Sequence, residues 1–397
     1  MQADACNKYE VECTVKKLLR ILTNKWILLY TAIGAVVILL NVIAWNNTAF
    51  CDTYIADIFP IWVNTYGRLT GLVSFSVGEI MLGLAVILVV LAAVLWIPGC
   101  FCHRIRRVIG GFYKFFAWTV LIVCLVMTLN CFILYHASTF SETYFGEADE
   151  QNDTLEELIA VRNMVVEECN RLSLLMERDA DGTILYDKDL GEQAIYCMQE
   201  LGKTYERLEG YYPRPKPLYT SDFFSQQYMC GYYFPFSMEA NYNDVMYIMN
   251  KPSTLCHELA HLRGYIFEDE ANLISYLACI RSEDPVFQYS GYLSVLNYLD
   301  NDFYKAVGRD RDAYLAQPVI SPQVTADNVF VTEEEWERIN GKALIDTETV
   351  DEISDVVVDT TLKVNGVKDG MISYSRVVKL LLLYYNNFWY SSHVNVN

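Results

Sequence analysis

Three long apolar runs in the first third of the chain constrain its fold more than any other feature. They cover residues 26–45, 80–97 and 115–135, and none of them contains Asp, Glu, Lys or Arg. Each run has about the 20 residues that a helix needs to cross the ~30 Å hydrocarbon core of a bilayer. Only helices and closed barrels satisfy their backbone polar groups in lipid, and runs this long and uninterrupted predict helices. We therefore expect three transmembrane helices, with the lipid bilayer as a partner.

Charge is distributed unevenly along the chain. The formal net charge of the 397 residues is −19, yet residues 1–139 hold ten basic and six acidic residues, a net of +4. Residues 140–397 therefore carry −23. Nucleic acid is not expected as a partner, because phosphate attraction requires clustered positive charge. The division predicts a membrane anchor followed by an acidic, water-facing domain.

Basic residues beside the apolar runs predict an orientation. Five Lys or Arg residues precede the first run and four lie between the second and third, whereas the loop between the first and second has only Arg68. Basic loops stay on the cytoplasmic side. We expect a multi-pass protein of the cytoplasmic membrane with its N-terminus inside and its large domain extracytoplasmic. The apolar segment 54–63 contains Pro60 and is predicted to lie on the outer surface rather than to form a fourth span.

The composition divides the chain into four parts. Residues 1–25 form a basic cytoplasmic N-terminus and residues 26–139 the membrane domain. Residues 140–155 are mostly polar and acidic and are interpreted as a linker, and residues 156–397 form the extracytoplasmic domain. Twelve cysteines include no Cys-x-x-Cys pair, and five of them, an odd number, follow residue 140. A disulfide scaffold is therefore not indicated.

Hydrophobic periodicity predicts a mainly helical domain. Apolar residues recur at three-to-four spacing through 155–177 and again through about 190–209, which is typical of amphipathic helices. Residues 211–252 are rich in Pro, Tyr, Phe and Met and predict short strands, with an antiparallel hairpin that ends near 246–249. The apolar run 374–385 is too short to span a membrane and is expected to pack within the domain.

The chemically informative stretch is His257-Glu258-Leu259-Ala260-His261, a His-Glu-x-x-His pattern. Four residues make about one helical turn, so both imidazoles lie on one face and can share a metal. Zinc accepts such ligands and, in a catalytic site, keeps one position open for water. Glu258 stands beside the pair, where it can take a proton from that water. The pattern predicts a Zn²⁺ site with His257 and His261 as ligands and Glu258 as the catalytic base.

A third ligand is expected among the acidic residues Glu268, Asp269 and Glu270. Helical phase places Glu270 at the centre of the apolar stripe of the following helix, whereas Glu268 falls almost opposite. A carboxylate that points into apolar packing needs a partner, and a metal is one. We favour Glu270 as the ligand, with Glu268 as the alternative. An ion pair between Glu270 and Arg281 is the competing structural interpretation.

The motif and its surroundings resemble a family of uncharacterised bacterial membrane proteins that contain a domain of unknown function. The resemblance covers most of the chain. Members of that family have three N-terminal spans and a gluzincin-like domain. It is carried by the spans and by three further elements: Phe234-Pro235-Phe236 to Asn241, the HELAH and EDEAN motifs, and Arg376-Val377-Val378. The Glu-Ala-Asn element is also similar to that of ImmA-type zinc peptidases, where its carboxylate is the third ligand. The resemblance implies Glu270 as a ligand and implies a zinc peptidase.

The expected fold class is three transmembrane α-helices followed by a mainly α-helical α+β zincin-like domain with a small antiparallel sheet. The expected function is a membrane-anchored zinc metallopeptidase that hydrolyses a peptide or protein substrate. Two alternatives remain open. One is a metalloprotease-type sensor that transduces a signal through the membrane, and the other is an envelope scaffold in which zinc only stabilises the fold.

Overall fold

The computed structural model describes residues 24–101, 106–146, 154–352, 354–355 and 376–394. The predicted basic N-terminus lies outside the described residues, apart from its last two positions. Three helices are long and apolar enough to cross a membrane. They are α1 (Lys25–Asn46), α2 (Val77–Phe101) and α3 (Arg106–Met127), and α3 continues through a π turn at Thr128–Phe132 and a 3₁₀ turn at Leu134–His136. The three apolar runs are thus confirmed as helices.

A further helical segment joins α1 to α2. We call residues 48–70 the connecting helix. It alternates between α and π turns, and a π turn lies on each side of the α turn that contains Pro60. Proline lacks the N–H that a regular α-helix needs. Its parts are Thr48–Thr53, Tyr54–Ile58, Phe59–Trp62, Val63–Gly67 and Arg68–Thr70. It does not form a fourth span, but it is more buried than a surface segment, since Tyr54, Ile55, Phe59 and Val63 lie in the protein core.

The proposed linker begins as part of the folded domain. Phe140–Tyr144 is a short helix whose first turn is held by a capping box between Thr139 and Glu142. The Phe140 side chain is fully buried. The expectation of a linker from residue 140 is therefore wrong for these residues, because a buried aromatic fixes them in the core. Residues 147–153 lie outside the described part of the chain.

Six longer helices build the globular domain. They are α4 (Leu155–Ser173), α5 (Leu190–Gly202), α6 (Lys251–His261), α7 (Glu268–Ile280), α8 (Pro285–Ala306) and α9 (Arg376–Val394). Helix α6 lies in the middle and packs against α5, α7 and α8. Helix α9 buries Val377, Val378 and Leu380–Leu382, which confirms the prediction of a packing helix near the C-terminus. Shorter helices lie at Ser221–Ser225, Arg311–Leu315, Pro322–Asp327 and Glu333–Lys342, with 3₁₀ turns at Glu206–Leu208 and Ile248–Asn250.

A three-stranded sheet covers one side of α6. Its strands are β1 (Lys216–Pro217), β2 (Gly231–Phe234) and β3 (Glu239–Tyr242), in the order β1-β3-β2. Strands β2 and β3 form the expected antiparallel hairpin, which ends at Tyr242 rather than near residues 246–249. Strand β1 pairs with β3 in parallel, so the sheet is mixed and not purely antiparallel as predicted. Strand β2 is left at one edge.

Candidate metal centre

Helix α6 presents two imidazoles on one face. His257 and His261 are one turn apart, and their Nε2 atoms lie 3.1 Å from each other. The helix ends just beyond them because Gly264 takes a φ of +89°, a backbone conformation that residues with a side chain rarely adopt. Ile55 of the connecting helix packs against this glycine, and a Cβ atom here would lie 2.7 Å from the Ile55 Cγ2 atom. Both constraints require glycine, and they place the histidine pair beside the connecting helix.

Glu268 completes a three-residue cluster. Its Oε2 lies 3.0 Å from His257 Nε2 and its Oε1 lies 3.7 Å from His261 Nε2. One ligand atom from each residue can be chosen so that all three lie within 4.8 Å of one another. Zinc bonds of about 2.0–2.1 Å arranged as a tetrahedron separate neighbouring ligand atoms by roughly 3.3 Å. The distance between the two Nε2 atoms is close to that value, and the two Glu268 distances, which belong to different oxygens, lie on either side of it. The three residues therefore form a candidate metal site.

The hydrogen bonds of the imidazoles determine what the cluster can accept. His261 Nδ1 lies 2.7 Å from the Tyr265 carbonyl oxygen, which can only accept, so this nitrogen carries the proton. His257 Nδ1 likewise donates to Asn272 Oδ1 at 2.9 Å. Both Nε2 lone pairs therefore point at each other and at the Glu268 carboxylate. Three acceptors this close repel one another unless a cation lies between them, either a proton or a metal.

Protonation follows the same logic. Burial alone lowers the pKa of the His257 imidazole, but the hydrogen bond and charge of Glu268 outweigh burial and raise that pKa to about 9. Burial lowers the pKa of His261 to about 4, and the charge of Glu268 opposes this only in part. The two histidines lower the pKa of Glu268 despite its desolvation. At neutral pH and without a metal, the cluster therefore holds an ionised carboxylate, a neutral His261 and a protonated His257, and a bound metal would replace the proton on His257.

Glu270 does not lie at the histidine pair, which differs from the sequence prediction. Its Oε1 accepts a hydrogen bond from the Ser141 hydroxyl at 2.6 Å and its Oε2 accepts one from the Ser141 backbone N–H at 2.9 Å. The carboxylate is buried, which raises its pKa to about 7 against the opposing effect of Ser141. Glu270 therefore connects α7 to the short helix Phe140–Tyr144. Glu268 lies at the histidine pair, where Glu270 was predicted.

The phase argument failed because α7 is buried on nearly every side. Its three successive acidic residues point to three different partners: Glu268 to the histidines, Glu270 to Ser141, and Asp269 to Arg376, whose Nε lies 3.2 Å away. An apolar stripe therefore does not mark the metal-facing side. The useful signal is the spacing of Glu268 and Asn272, which are four residues apart and both contact His257.

Glu258 lies beneath strand β2. It is buried, and its Oε2 has no hydrogen-bond partner in the part of the chain that the structure describes. Burial raises the pKa of Glu258 to about 8, the nearby charge of His257 lowers it, and that of Glu268 raises it. A Cβ atom at Gly231 would lie 2.8 Å from Glu258 Oε1 and 2.5 Å from the Asn241 carbonyl oxygen. Only glycine allows β2 to approach the carboxylate so closely.

Two contributors were missed in the sequence. Asn272 orients His257, and Gly231 makes room for Glu258. Asn272 belongs to the EDEAN element, so its polar amide on a largely buried helix was an available signal. Gly231 lies in an aromatic-rich stretch, where a glycine inside a strand often marks a close backbone approach.

Comparison with known proteins supports membership of one family. Residues 54–382 match the model described as protein of unknown function (DUF3810). The chain belongs to the DUF3810 family. No curated protein and no solved structure matches the chain. The DUF3810 match includes the connecting helix from Tyr54 onward, α2, α3 and every residue of the cluster, whereas α1 precedes it.

Proposed function

We propose that this DUF3810 protein is a membrane-anchored zinc metallopeptidase. The observation that carries the proposal is the convergence of two Nε2 lone pairs and one carboxylate on a single point, with the buried Glu258 next to them in sequence. Such an arrangement favours a cation, and two imidazoles with one carboxylate are ligand types that zinc accepts. Glu268 takes the role of third ligand, for which Glu270 was favoured from the sequence.

Each residue has a defined task in this proposal. His257, His261 and Glu268 hold the metal, while Asn272 and Tyr265 orient the two imidazoles. When bound, zinc lowers the pKa of a coordinated water toward ~7 and polarises the scissile carbonyl. Glu258 accepts the proton of the attacking water on its carboxylate and passes it to the leaving amine. A raised pKa suits this exchange, since a base works best when its pKa is near the working pH.

Strand β2 offers an edge for the substrate. Asn243 N–H donates to the Cys230 carbonyl at 2.7 Å, so by antiparallel alternation Tyr232 and Phe234 direct their backbone groups toward β3. Gly231 and Tyr233 direct theirs to the free edge. An extended peptide can pair with these groups as an added strand. Its backbone then runs past Gly231, which lies directly over Glu258.

The exposure of the cluster disfavours the alternative of a purely structural zinc site. Structural sites usually fill all four positions with protein ligands, and the cluster found among the described residues has three. The Glu268 side chain is also 43% exposed, so the site is open to solvent. Cys256, adjacent to His257, is turned away and lies 3.8 Å from Cys279 through their sulfur atoms.

The orientation is also a proposal. Basic residues before α1 and between α2 and α3 favour an extracytoplasmic domain with the N-terminus inside. A reporter that is active only outside the cytoplasm, fused after Asn397, is expected to be active. A cytoplasmic signal from that fusion would reverse the orientation and favour the sensor-type alternative, in which the metalloprotease domain is kept inside.

Metal analysis and peptide hydrolysis test the function together. Purified full-length protein in detergent is expected to hold one zinc ion and to cleave a quenched mixed-sequence peptide library. Glu258→Gln should keep the zinc and lose hydrolysis by more than about 100-fold, because the base is gone and the ligands are intact. Zinc-replete wild type that cleaves nothing, or a fully active Glu258→Gln variant, would exclude the mechanism.

A further inference from the structure

We propose that the substrate is a polypeptide anchored in the same membrane and cut within a few residues of the lipid surface. The inference rests on the proposed peptidase function and adds the substrate class to it. It follows from the attachment of the hairpin β2–β3, which covers Glu258, to the membrane helices.

A buried ion pair fixes the sheet to the start of α2. Lys216 of β1 pairs with Glu239 of β3, and their side chains are only 4% and 1% exposed. The Glu239 carboxylate accepts hydrogen bonds from the backbone N–H groups of Val77 and Gly78 at 3.2 and 2.8 Å. Lys216 Nζ donates to the carbonyl oxygens of Thr70 and Phe75. The sheet therefore cannot move away from the N-terminal end of α2 without exposing the charges of Lys216 and Glu239.

The continuation of α3 lies close to the cluster, with Tyr233 between them. The Tyr233 hydroxyl donates to the Asn130 carbonyl at 3.2 Å, and its ring lies 6.0 Å from the His261 ring. Asn130 precedes His136, the end of the apolar helix, by six residues, or about 9 Å of helix. The hairpin thus packs against the last turns of the apolar helix, which this proposal places at the outer surface of the bilayer. The Tyr233 side chain lies between Asn130 of this helix and His261, a candidate metal ligand.

The connecting helix packs beside the site. Its buried face contacts Gly264, just beyond the histidine pair, through Ile55. Large apolar residues are exposed on its other side and in the loop toward α2, namely Ile58, Ile61, Leu69, Leu72 and Phe75. This apolar face continues into α1 at one end and α2 at the other, and both helices carry many exposed apolar side chains. A two-faced segment between two spans belongs in the membrane interface.

Strand β2 runs from the catalytic carboxylate to the membrane. Gly231 lies over Glu258, while a Cβ atom at Gly78 of α2 would lie 2.8 Å from the Phe234 ring. Four strand residues cover about 13 Å. A chain that leaves the lipid beside α2 and pairs with β2 therefore presents a bond to Glu258 within roughly five residues. A soluble polypeptide bound in the same way would have to push its next residues into the headgroups.

The test varies the distance between the substrate and the bilayer. Full-length protein is reconstituted in vesicles of phosphatidylethanolamine and phosphatidylglycerol with a mixed-sequence peptide library. The library is either free in solution or fused to a transmembrane helix through flexible spacers of about 5, 10 and 40 residues. We expect the shortest spacers to be cut at least about tenfold faster than the free library at equal total concentration.

Two outcomes separate the failure of this inference from that of the function itself. Cleavage of the free and long-spacer libraries, with the short spacers uncut, would place the site far above the bilayer and exclude the anchored substrate. No cleavage of any form by zinc-loaded protein would reject the peptidase function, and the substrate class with it. The Glu258→Gln variant gives the background rate in each case.

A surface variant gives an independent readout. The double change Leu69→Glu and Leu72→Glu places charges on the apolar face of the connecting segment, at positions 64% and 81% exposed. We expect it to leave hydrolysis of the free library in detergent within about twofold, and to remove the preference for short-spacer substrates in vesicles. Leu344→Glu, at a fully exposed leucine of the globular domain, is the matched control and should keep the preference. An unchanged preference in the double variant would contradict the proposed membrane contact.

Discussion

The Nδ1 atoms of two histidines define the chemistry available to this protein. In the neutral form of each ring, Nδ1 is the donor, to Asn272 or to the Tyr265 carbonyl, so Nε2 is left as an acceptor. With the Glu268 carboxylate on the third side, the cluster is a candidate cation site. Substitutions that change one donor or acceptor here test the assignment directly.

The third ligand is tested by a pair of neighbouring carboxylates. Glu268→Ala removes an oxygen that lies 3.0 Å from His257 Nε2 and should lower zinc affinity by more than about 100-fold, since even orienting residues are worth 10–100-fold. Glu270→Ala should keep zinc within a few-fold. It should instead cost about 1–3 kcal/mol of stability, because the buried Ser141 N–H loses its acceptor. Competition with a chelating dye and thermal unfolding measure the two effects, and the reverse pattern would restore Glu270 as the ligand.

Asn272 has a smaller expected role. Asn272→Ala removes the acceptor that orients His257, so zinc affinity should fall by about 10–100-fold while the ligands remain. Asn297→Ala, which breaks an exposed hydrogen bond to Asn328, is the control and should leave affinity unchanged. Equal affinities for the two variants would show that Asn272 does not orient the imidazole.

At the scale of elements, the approach of β2 to α6 matters most. The strand lies so close to the helix that residue 231 has no room for a side chain. The same proximity buries Glu258 and raises its pKa. The carboxylate of Glu258, the proposed base, therefore owes its environment to a neighbouring strand and not to its own helix.

Gly231→Ala tests this packing. The added Cβ would meet the Asn241 carbonyl and Glu258, so the strand or the carboxylate must shift. We expect hydrolysis of the peptide library to fall by at least about tenfold with zinc binding retained, since the ligands lie on α6 and α7. Gly341→Ala provides a matched glycine in a helix with nothing within 4 Å, where Ala should be neutral or stabilise by up to about 1 kcal/mol. Wild-type activity in Gly231→Ala would show that the approach of β2 is not needed for catalysis.

At the scale of the whole molecule, one buried ion pair joins the membrane domain to the globular domain. Lys216 and Glu239 belong to the sheet, but four of their hydrogen bonds go to residues 70–78, from the end of the connecting helix to the start of α2. Breaking such a pair leaves a buried charge without its partner. The two domains therefore behave as one body at this contact.

Lys216→Met should reveal that coupling. It leaves Glu239 buried without its ion-pair partner and is expected to cost about 3–5 kcal/mol in thermal unfolding in mild detergent. Limited proteolysis should also cut residues 71–76 faster, because Lys216 no longer binds the carbonyl oxygens of Thr70 and Phe75. Lys203→Met, from an exposed pair with Glu200, should cost no more than about 1 kcal/mol. Equal stability of both variants would mean that the buried pair does not clamp the domains.

Local patterns predicted the parts of this protein that depend on local rules. The three spans follow from length and charge-free composition, and α9 follows from an apolar run too short to span. His257 and His261 share a face because helix geometry places residues i and i+4 together. The predicted linker failed at Phe140, since the burial of one aromatic is decided by distant helices and not by the polar residues around it.

The sequence by itself determined that three helices are long and apolar enough to cross a membrane, that the remainder of the chain is acidic and mainly helical, and that two histidines and a glutamate lie on one helix. Only the tertiary structure decided which carboxylate completes the cluster. Glu268, Asp269 and Glu270 are consecutive and chemically alike, and their partners come from segments up to 129 residues away. The tertiary structure also placed the cluster beside the membrane helices. Both decisions are made by long-range packing, which no local period in a sequence encodes.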